Sequence, residues 1–495
     1  MKLEIMLENL NRVRKVEGSD SVEIEGLACD SKAVKKGYLF IAVKGARFDG
    51  ADFIDEAIER GARGVILERG ENRPYIFRKG ITFIYVEDAR LSLAEVCRAY
   101  YGDISSKMRL IGVTGTNGKT TTTYLVESLL NRRNEKTGVI GTVNYRFDDR
   151  LMPALNTTPG VLDLYALLDN MYRKGVRNCI LEVSSHSLEQ GRVDTLNFDV
   201  AVFTNLTSEH LDFHKNLENY LASKMKLFTK IKKGGYAIIN VDDSCSHKII
   251  EKVKAERNVN IITYGIDRSA DVQAKDISLS LHGLKFRLCH SNSCIEIKSA
   301  LIGQYNVYNI LASAGCSIAM GMGLEEIAPA IEKVSFLPGR LEKVDCGQDF
   351  LVFVDYAHTE NGLENVLKAL RMLGPRRLLV VFGCGGDRDR SKRPKMGKIS
   401  SELCDRVFIT SDNPRSEDPM DIINEIINGI RLEKNNYAVE MDRFKAIELV
   451  LREAKRGDIV LVAGKGHETY QVFKDTTVPF DDREVVRKIL TREAT

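Results

Sequence analysis

The chain has 495 residues, room for about three domains at roughly 150 residues each. Hydrophobic residues make up 43% and charged residues 28%, the balance of a soluble globular enzyme, and a formal net charge of +3 gives no reason to expect a nucleic-acid or anionic-membrane partner. No apolar run approaches the ~18 residues of a membrane span, residues 1–8 carry acids where a signal peptide needs an apolar core, and the ten cysteines are scattered without a Cys-x-x-Cys, which reads as buried free thiols in a reducing cytoplasm.

In chain order, residues 38–43 are expected as a strand, 53–60 as a helix, 64–67 as the next strand and 92–101 as a helix with Leu93, Val96, Cys97 and Tyr100 on one face. A boundary near 102–107 closes a first domain at 104. From Met108 to about Gly323 strand and helix alternate. Strands end at Val113, Val183 and Phe203, and helices cover 124–131, 161–174, 219–231 and 306–320. Residues 260–300 break this rhythm with short alternating runs and read as a small antiparallel insert. A turn at 336–339 opens a third region with strands at 351–354, 378–382, 407–410 and 459–463. The domains are therefore expected at 1–104, 105–334 and 335–495, and the alternation argues for an α/β protein of mostly parallel sheets covered on both faces.

The sharpest local signal is Gly112-Val-Thr-Gly115-Thr116-Asn117-Gly118-Lys119-Thr120-Thr121. An apolar strand runs into a glycine-rich loop and then a helix, the arrangement that turns backbone N–H groups onto phosphates, with Lys119 as a point charge and the Thr120 hydroxyl able to bind magnesium. The general phosphate-loop pattern has glycine where this chain has Val113, so the match is to a variant loop. In open α/β sheets ligands bind beyond the carboxyl ends of strands. Glu182 ends one such strand; alone it suits a magnesium ligand and a solvent-facing acid about equally, and the phosphate loop nearby tilts the reading to the magnesium ligand. His210 lies on the loop after the next strand; its spacing alone assigns it no metal. Lys224 falls on the apolar stripe formed with Leu221, Met225 and Phe228. A buried lysine there could form a carbamate with carbon dioxide, but pattern alone favours a side chain that extends to solvent.

The third region places charged loops after three of its strands. One carries Gly383 to Arg390 with Arg388, the next Asp412-Asn413-Pro414-Arg415, and the last Gly464-Lys-Gly-His-Glu468. Arginine forks grip carboxylates at two points and acids hold ammonium groups, so Arg388 and Arg415 with Asp412 and Glu468 suit a zwitterionic amino acid. A dinucleotide site at residues 383–386 is the weaker thought, because no Gly-x-Gly-x-x-Gly spacing is present.

With these motifs in view the chain resembles the Mur ligases, the amide-bond-forming enzymes of peptidoglycan synthesis, over nearly its whole length. The resemblance implies a uridine-nucleotide-binding N-terminal α/β domain, a central ATPase-like domain with the phosphate loop, and a Rossmann-like C-terminal domain that takes the amino acid. Cys29, Ser31, Ala46, Arg47 and Phe48 match the uridine-nucleotide domain, and Asn156, Thr157, Thr158, Ser184, Gln190 and Arg192 match the muramoyl-peptide contacts. Gly115 to Thr121, Asn306, Asn309, Arg340 and Asp355 match the ATP-facing elements. Lys224 matches the family's carbamylated lysine, which reverses the preference stated above. Arg388, Asp412, Asn413, Pro414, Arg415, Gly464 and Glu468 match the amino-acid site, and Arg415 is the residue expected when the amino acid is meso-diaminopimelate rather than lysine. The implied reaction joins that amino acid to UDP-N-acetylmuramoyl-L-alanyl-D-glutamate, using ATP and Mg2+. Thr120 and Glu182 would hold one magnesium, and Glu182, His210 and the Lys224 carbamate another. The expected molecule is a cytoplasmic monomer with small-molecule substrates and no nucleic-acid or membrane partner. The same reaction with L-lysine or another diamino acid is the first alternative; a folylpolyglutamate-synthetase type of ligase, set apart by its lack of a uridine-binding N-terminal domain, comes after it, and a nucleotide-hydrolysing binding module is more distant still.

Overall fold

The structure, a computed structural model, describes residues 1–45, 48–68, 78–256, 258–431 and 433–493. Three β-sheets built in sequence order, each with helices against it, organise the chain. The first has the strand order Val13–Glu17, Thr82–Val86, Gly64–Glu68, Tyr38–Ala42, Gly26–Ala28 and is parallel except for Val13–Glu17. Its inner strands bury every residue of Thr82–Val86 and all but the last of Gly64–Glu68, as a sheet covered on both faces requires. Helix Ala89–Tyr101 starts where the Asp88 carboxylate accepts from the Leu91 N–H, and it packs on helix Val161–Arg173 of the middle region, with the Tyr101 and Tyr165 rings stacked 6.2 Å apart.

The middle sheet has eleven strands. Strand Arg109–Thr114 lies between Asn178–Glu182 and Phe198–Phe203, parallel to both, so the order reverses there and a crevice opens beyond its carboxyl end. Helices Lys119–Arg132 and Gln304–Ala319 pack together and close one face over Ile111, Val113, Ile180 and Val202. The third sheet has the order Glu342–Val344, Leu351–Asp355, Ile459–Ala463, Leu378–Phe382, Arg406–Ile409, Tyr437–Val439, parallel apart from its first strand. Leu363, Met396 and Ile423 cover one face, and Ile447 and Val486 the other. Among the described residues no helix is long and apolar enough to cross a membrane.

Three expectations change. The helix expected over 219–231 is Leu217–Met225, followed by a 3-10 turn at Phe228–Lys230, because strand Ile231–Asn240 already begins at Ile231 to pair with Phe198. Residues 260–300 are not a separate insert. Asn260–Gly265 and then Val272–Ser280 join the middle sheet in parallel, and Gly283–His290 and Ser293–Ser299 extend that sheet as antiparallel strands. The cysteines are not all free thiols: the register of that last hairpin sets Cys289 opposite Cys294, and the two form a disulfide.

Candidate active site

The phosphate loop begins after the strand ends. Val113 sits inside the strand, fully buried and registered with Glu182 on one side and Val202 on the other, so the departure from the general pattern belongs to the core. The curl starts at Gly115 (φ +149°), where an added Cβ would stand 1.8 Å from Thr204 Oγ1. Gly118 (φ +86°) would meet Asn309 Oδ1 at 2.4 Å. Neighbouring strand ends tie the loop down: Thr204 Oγ1 donates to Asn117 O (2.6 Å) and Asn117 N to Asn205 Oδ1 (2.9 Å). Lys119 Nζ folds back to donate to Gly115 O (2.9 Å) and Thr116 O (2.8 Å), and burial holds its ammonium below the usual lysine range despite Glu209 and Glu182 nearby. Thr120 and Thr121 follow in the first turn of helix Lys119–Arg132, both buried.

Lys224 reaches the same carbonyl from below. It is 1% exposed, its Nζ donates to Gly115 O (2.8 Å), and it stands 4.2 Å from the centre of the Tyr220 ring. Among the described residues it has no ion-pair partner. Two ammonium groups on one carbonyl oxygen repel each other. Burial first, and Lys119 second, push the Lys224 ammonium well below the lysine range. Tyr220 fastens the Lys224 helix to the loop by sharing a hydrogen bond with Thr116 Oγ1 (3.2 Å).

Glu182, 1% exposed, holds hydroxyl and amide donors only. Thr120 Oγ1 donates to its Oε2 (3.1 Å), Thr142 Oγ1 to the same oxygen (2.8 Å) and Thr142 N to Oε1 (3.0 Å). His210 adopts a left-handed backbone (φ +56°) and packs edge-on to His186 at 4.8 Å. Burial, with His186, Lys119 and Lys224 behind it, holds its imidazole down to about 3. His214 Nε2 shares a hydrogen bond with Ser185 Oγ (2.9 Å) and is held down to about 4, chiefly by burial.

A cavity of about 1030 Å³ opens above this loop. Asn306 and Asn309 line it, with Asn309 Nδ2 donating to Asn306 Oδ1 (2.9 Å). So do Asn156, Thr157, Thr158, Ser184, Gln190 and Arg192. Their mutual bonds make a fixed wall: Thr158 Oγ1 donates to Glu182 O (2.7 Å), Thr157 shares a hydrogen bond with Thr142 (3.1 Å), Ser184 caps helix Ser185–Glu189, and Arg192 grips Gln190 Oε1 and Thr158 O. The third region closes the roof. Arg340 Nη2 donates to Thr120 Oγ1 (3.2 Å) while its guanidinium lies 4.9 Å from the Tyr356 ring centre. Asp355 accepts from Leu341 N (2.6 Å) and Ala357 N (2.8 Å), so it shapes the turn that presents Arg340, and burial pushes its carboxyl up. Asn361 Oδ1 accepts from Asn117 Nδ2 (3.0 Å).

A second cavity, about 830 Å³, adjoins the first and shares Thr142, Thr157, His210, Tyr356 and Arg388 with it, which makes one cleft. Asp412, Asn413, Arg415, Gly464 and Glu468 line it. Asn413 Nδ2 donates to Glu468 Oε2 (2.9 Å), and the buried Lys465 bridges Glu468 Oε2 (3.0 Å) and Asn413 Oδ1 (3.2 Å). Gly464 (φ +113°) leaves room for Asp412, whose Oδ2 would lie 2.6 Å from an added Cβ. Pro414 does not line the cavity; its carbonyl oxygen faces Gly386. Arg388 Nη1 and Arg415 Nη1 donate to backbone carbonyls, Asp387 O (3.0 Å) and Gly386 O (2.6 Å), and among the described residues neither guanidinium is in an ion pair. Burial, then Arg415, holds Arg388 below the usual range.

The residues expected to meet the uridine nucleotide lie elsewhere. Ser31 is buried and donates to Glu56 Oε2 (2.7 Å), Cys29 is exposed, and Phe48 is 70% exposed against Phe53. None lines either cavity, and Ala46 and Arg47 fall outside the described residues. Thr142 lines the cleft and was passed over by motif reading, since it follows strand Thr137–Ile140 with no local signature; Tyr356 takes its place there because His467, 4.7 Å away, and Arg340 converge on it.

Residues 113–317 match the Mur ligase middle domain, 339–466 the Mur ligase glutamate ligase domain, and 23–101 the catalytic domain of the Mur ligase family. The UDP-N-acetylmuramoyl-L-alanyl-D-glutamate–2,6-diaminopimelate ligase of Solibacter usitatus is 46% identical over 472 residues, 94% of each chain. The protein of that name from Caldanaerobacter subterraneus subsp. tengcongensis is 43% identical over 476 residues, 96% of each chain. A solved structure of such a ligase, 32% identical, aligns with a TM-score of 0.69 over 97% of this chain and 98% of its own.

Proposed function

The chain belongs to the Mur ligase family, and from that premise we propose that it joins 2,6-diaminopimelate to UDP-N-acetylmuramoyl-L-alanyl-D-glutamate with cleavage of ATP to ADP and phosphate. The observation that carries the amino-acid assignment is the pair Arg388 and Arg415. Two guanidiniums that pair with no carboxylate among the described residues face a cavity continuous with the phosphate loop. A diamino dicarboxylate brings the missing carboxylates; lysine brings only one.

ATP's phosphates fit the Gly115 to Thr121 cradle, with Lys119 released from its carbonyl contacts to meet them. Asn306 and Asn309 line the same cavity for the rest of the nucleotide. The D-glutamyl γ-carboxylate, held along the Asn156–Thr157–Thr158 wall near Arg192, attacks the γ-phosphorus in line. An O–P bond forms, the bond to ADP breaks, and Arg340 and Lys119 face the charge that spreads over the transferred phosphoryl oxygens. The amino group of diaminopimelate gives up a proton, attacks the acyl carbon and displaces phosphate. Asp412, Asn413 and Glu468 hold its ammonium end, and Arg388 and Arg415 its carboxylates, so that the two reactants meet where the cavities join.

The donor set fits magnesium. Glu182 is a buried carboxylate held by hydroxyls and an amide, with Thr120 Oγ1 at 3.1 Å. Among the described residues no three His, Cys, Asp or Glu side chains form a metal-holding group by themselves, so a site here draws on the Thr120 hydroxyl, the phosphates and a carbamate. Thr120 and Glu182 would hold one ion, and Glu182, His210 and carbamylated Lys224 a second; bound there, they supply charge neutralisation of the phosphates. Lys224 is suited to that modification: it is buried, pairs with no carboxylate among the described residues and shares its acceptor with another ammonium, all of which favour the free amine that reacts with carbon dioxide. We place the domain boundaries at 104/105 and 334/335; the sheets support this, since the strands of one end at Val86 and Ser299 and those of the next begin at Arg109 and Glu342.

The test is ADP release with the uridine-nucleotide dipeptide, ATP and each candidate amino acid. Stimulation by meso-diaminopimelate well above that by L-lysine is expected. Equal rates with the two, or none with diaminopimelate, would contradict the assignment.

A further inference from the structure

Arg415 and Arg388 sit on two different loops, and nothing in either loop's own sequence fixes the distance between them. The structure shows a tie behind both. Arg393, in the first turn of helix Lys392–Leu403, is 0% exposed, an unusual place for a guanidinium. Its Nη1 and Nη2 fork onto Glu417 Oε2 (2.8 Å) and Oε1 (2.8 Å), and Nη1 also donates to Glu425 Oε2 (2.9 Å). Glu417 lies two residues after Arg415. Its Oε1 additionally accepts the Asp387 N–H (2.6 Å), immediately before Arg388, and Arg393 Nη2 donates to Gly385 O (3.3 Å). The 411–418 loop is thereby clamped to the 383–390 loop on the side away from the cavity.

The clamp is reinforced by close contact. Gly386 N donates to Asn413 O (2.9 Å), and a Cβ on Gly386 would stand 1.9 Å from Pro414 O. Ser416 Oγ donates to Asp387 Oδ1 (2.6 Å). Asp387 and Arg415 both hold positive φ, +52° and +53°, so each loop is kept in a conformation its own residue disfavours. Two facing guanidiniums repel each other, and without a tie the loops would relax apart when no carboxylate lies between them.

We infer that the Arg393–Glu417 ion pair is a positioning device for the amino-acid substrate: it sets the separation of Arg388 and Arg415, and with it the preference for an amino acid bearing a second carboxylate. This rests on the reading of the second cavity as the diaminopimelate site. Neither Arg393 nor Glu417 lines either cavity, so the pair acts through the two arginines.

The experiment is steady-state kinetics of the full chain carrying Glu417→Gln, alone and combined with Arg415→Ala, with meso-diaminopimelate and with L-lysine as acceptors. Glu417→Gln keeps the shape and loses the charge of the fork. We expect KM for diaminopimelate to rise about tenfold or more, with kcat and KM for ATP within about twofold of the parent, and the ratio of kcat/KM for diaminopimelate over lysine to fall by a similar factor. In the Arg415→Ala background the same change should have little further effect on KM, because the residue it positions is gone. If KM for diaminopimelate is unchanged in Glu417→Gln, if kcat falls and the KM for ATP rises alongside it as in a general loss of structure, or if the two substitutions add in full, the inference is wrong. Arg393→Lys, which keeps the charge and loses the two-point fork, answers the same question by the same criteria if Glu417→Gln yields no soluble protein. A parent enzyme that ignores diaminopimelate altogether would instead overturn the substrate reading.

Discussion

Gly115 O is the acceptor for two lysines, Lys119 at 2.9 Å and Lys224 at 2.8 Å, and this shared contact explains much of the chemistry around it. One of the two does better without its proton, and the more buried is Lys224. The heptad-like placement of Lys224 on an apolar stripe was readable from sequence, but that no carboxylate among the described residues pairs with it was not, since that depends on which distant residues pack there. Thr142, which gives Glu182 two of its three hydrogen bonds, was invisible for the same reason. His214 makes a different residue-level test. Its imidazole is 4% exposed and held to about 4, below the ordinary 6.5, so between those values the unfolded chain binds a proton that the folded one does not. Stability is therefore whole above about pH 6.5 and declines as pH falls towards 4, with a slope of at most about 1.4 kcal/mol per pH unit from this group. Denaturant unfolding of the parent and of His214→Gln across pH 4 to 7 should show a shallower decline in the variant; parallel curves would mean that His214 does not titrate this way.

At the level of elements, sequence pattern located the strands that matter because each is built on a short, buried, mostly apolar run followed by polar residues. Residues 110–114 and Ile459–Ala463 are of this kind. It failed where an element's end is set by a partner: helix Leu217–Met225 stops because Ile231 must pair with Phe198, and the Cys289–Cys294 bridge follows from a hairpin register that spacing alone did not give. The last helix, Asp482–Glu493, is fixed by a pair of charges. Arg443 and Asp482 are buried at 1% and 0% exposure, joined at two points of 2.8 Å each, and Arg443 Nη2 also donates to Ala463 O (2.9 Å) at the head of the loop that carries Gly464 and Glu468. Asp482→Asn leaves the guanidinium charge buried without its counterion, and we expect a loss of about 3–5 kcal/mol in denaturant unfolding. A change below about 1 kcal/mol would show that the pair does not anchor the helix.

Across the whole molecule, the cleft exists only because the middle and third regions meet. Arg340 reaches Thr120, Asn361 meets Asn117, and the two cavities run together beneath Tyr356. The sequence disclosed the contents of each half separately, as a phosphate loop and as three charged strand-end loops. Their convergence, and the Arg393–Glu417 tie that holds two of those loops, are properties of tertiary packing. The first sheet, with Cys29, Ser31 and Phe48, stands apart from that cleft, which fits an anchor for the far end of a long substrate. The central claim is that one cleft couples phosphoryl transfer to amide formation, and the stoichiometry of the reaction tests it most directly. ADP and amide product are measured together, with ATP, the uridine-nucleotide dipeptide and meso-diaminopimelate present and with each omitted in turn. We expect one ADP per amide formed and almost no ADP when the dipeptide is left out. ADP released at the same rate without dipeptide or amino acid, and with no amide, would contradict the account.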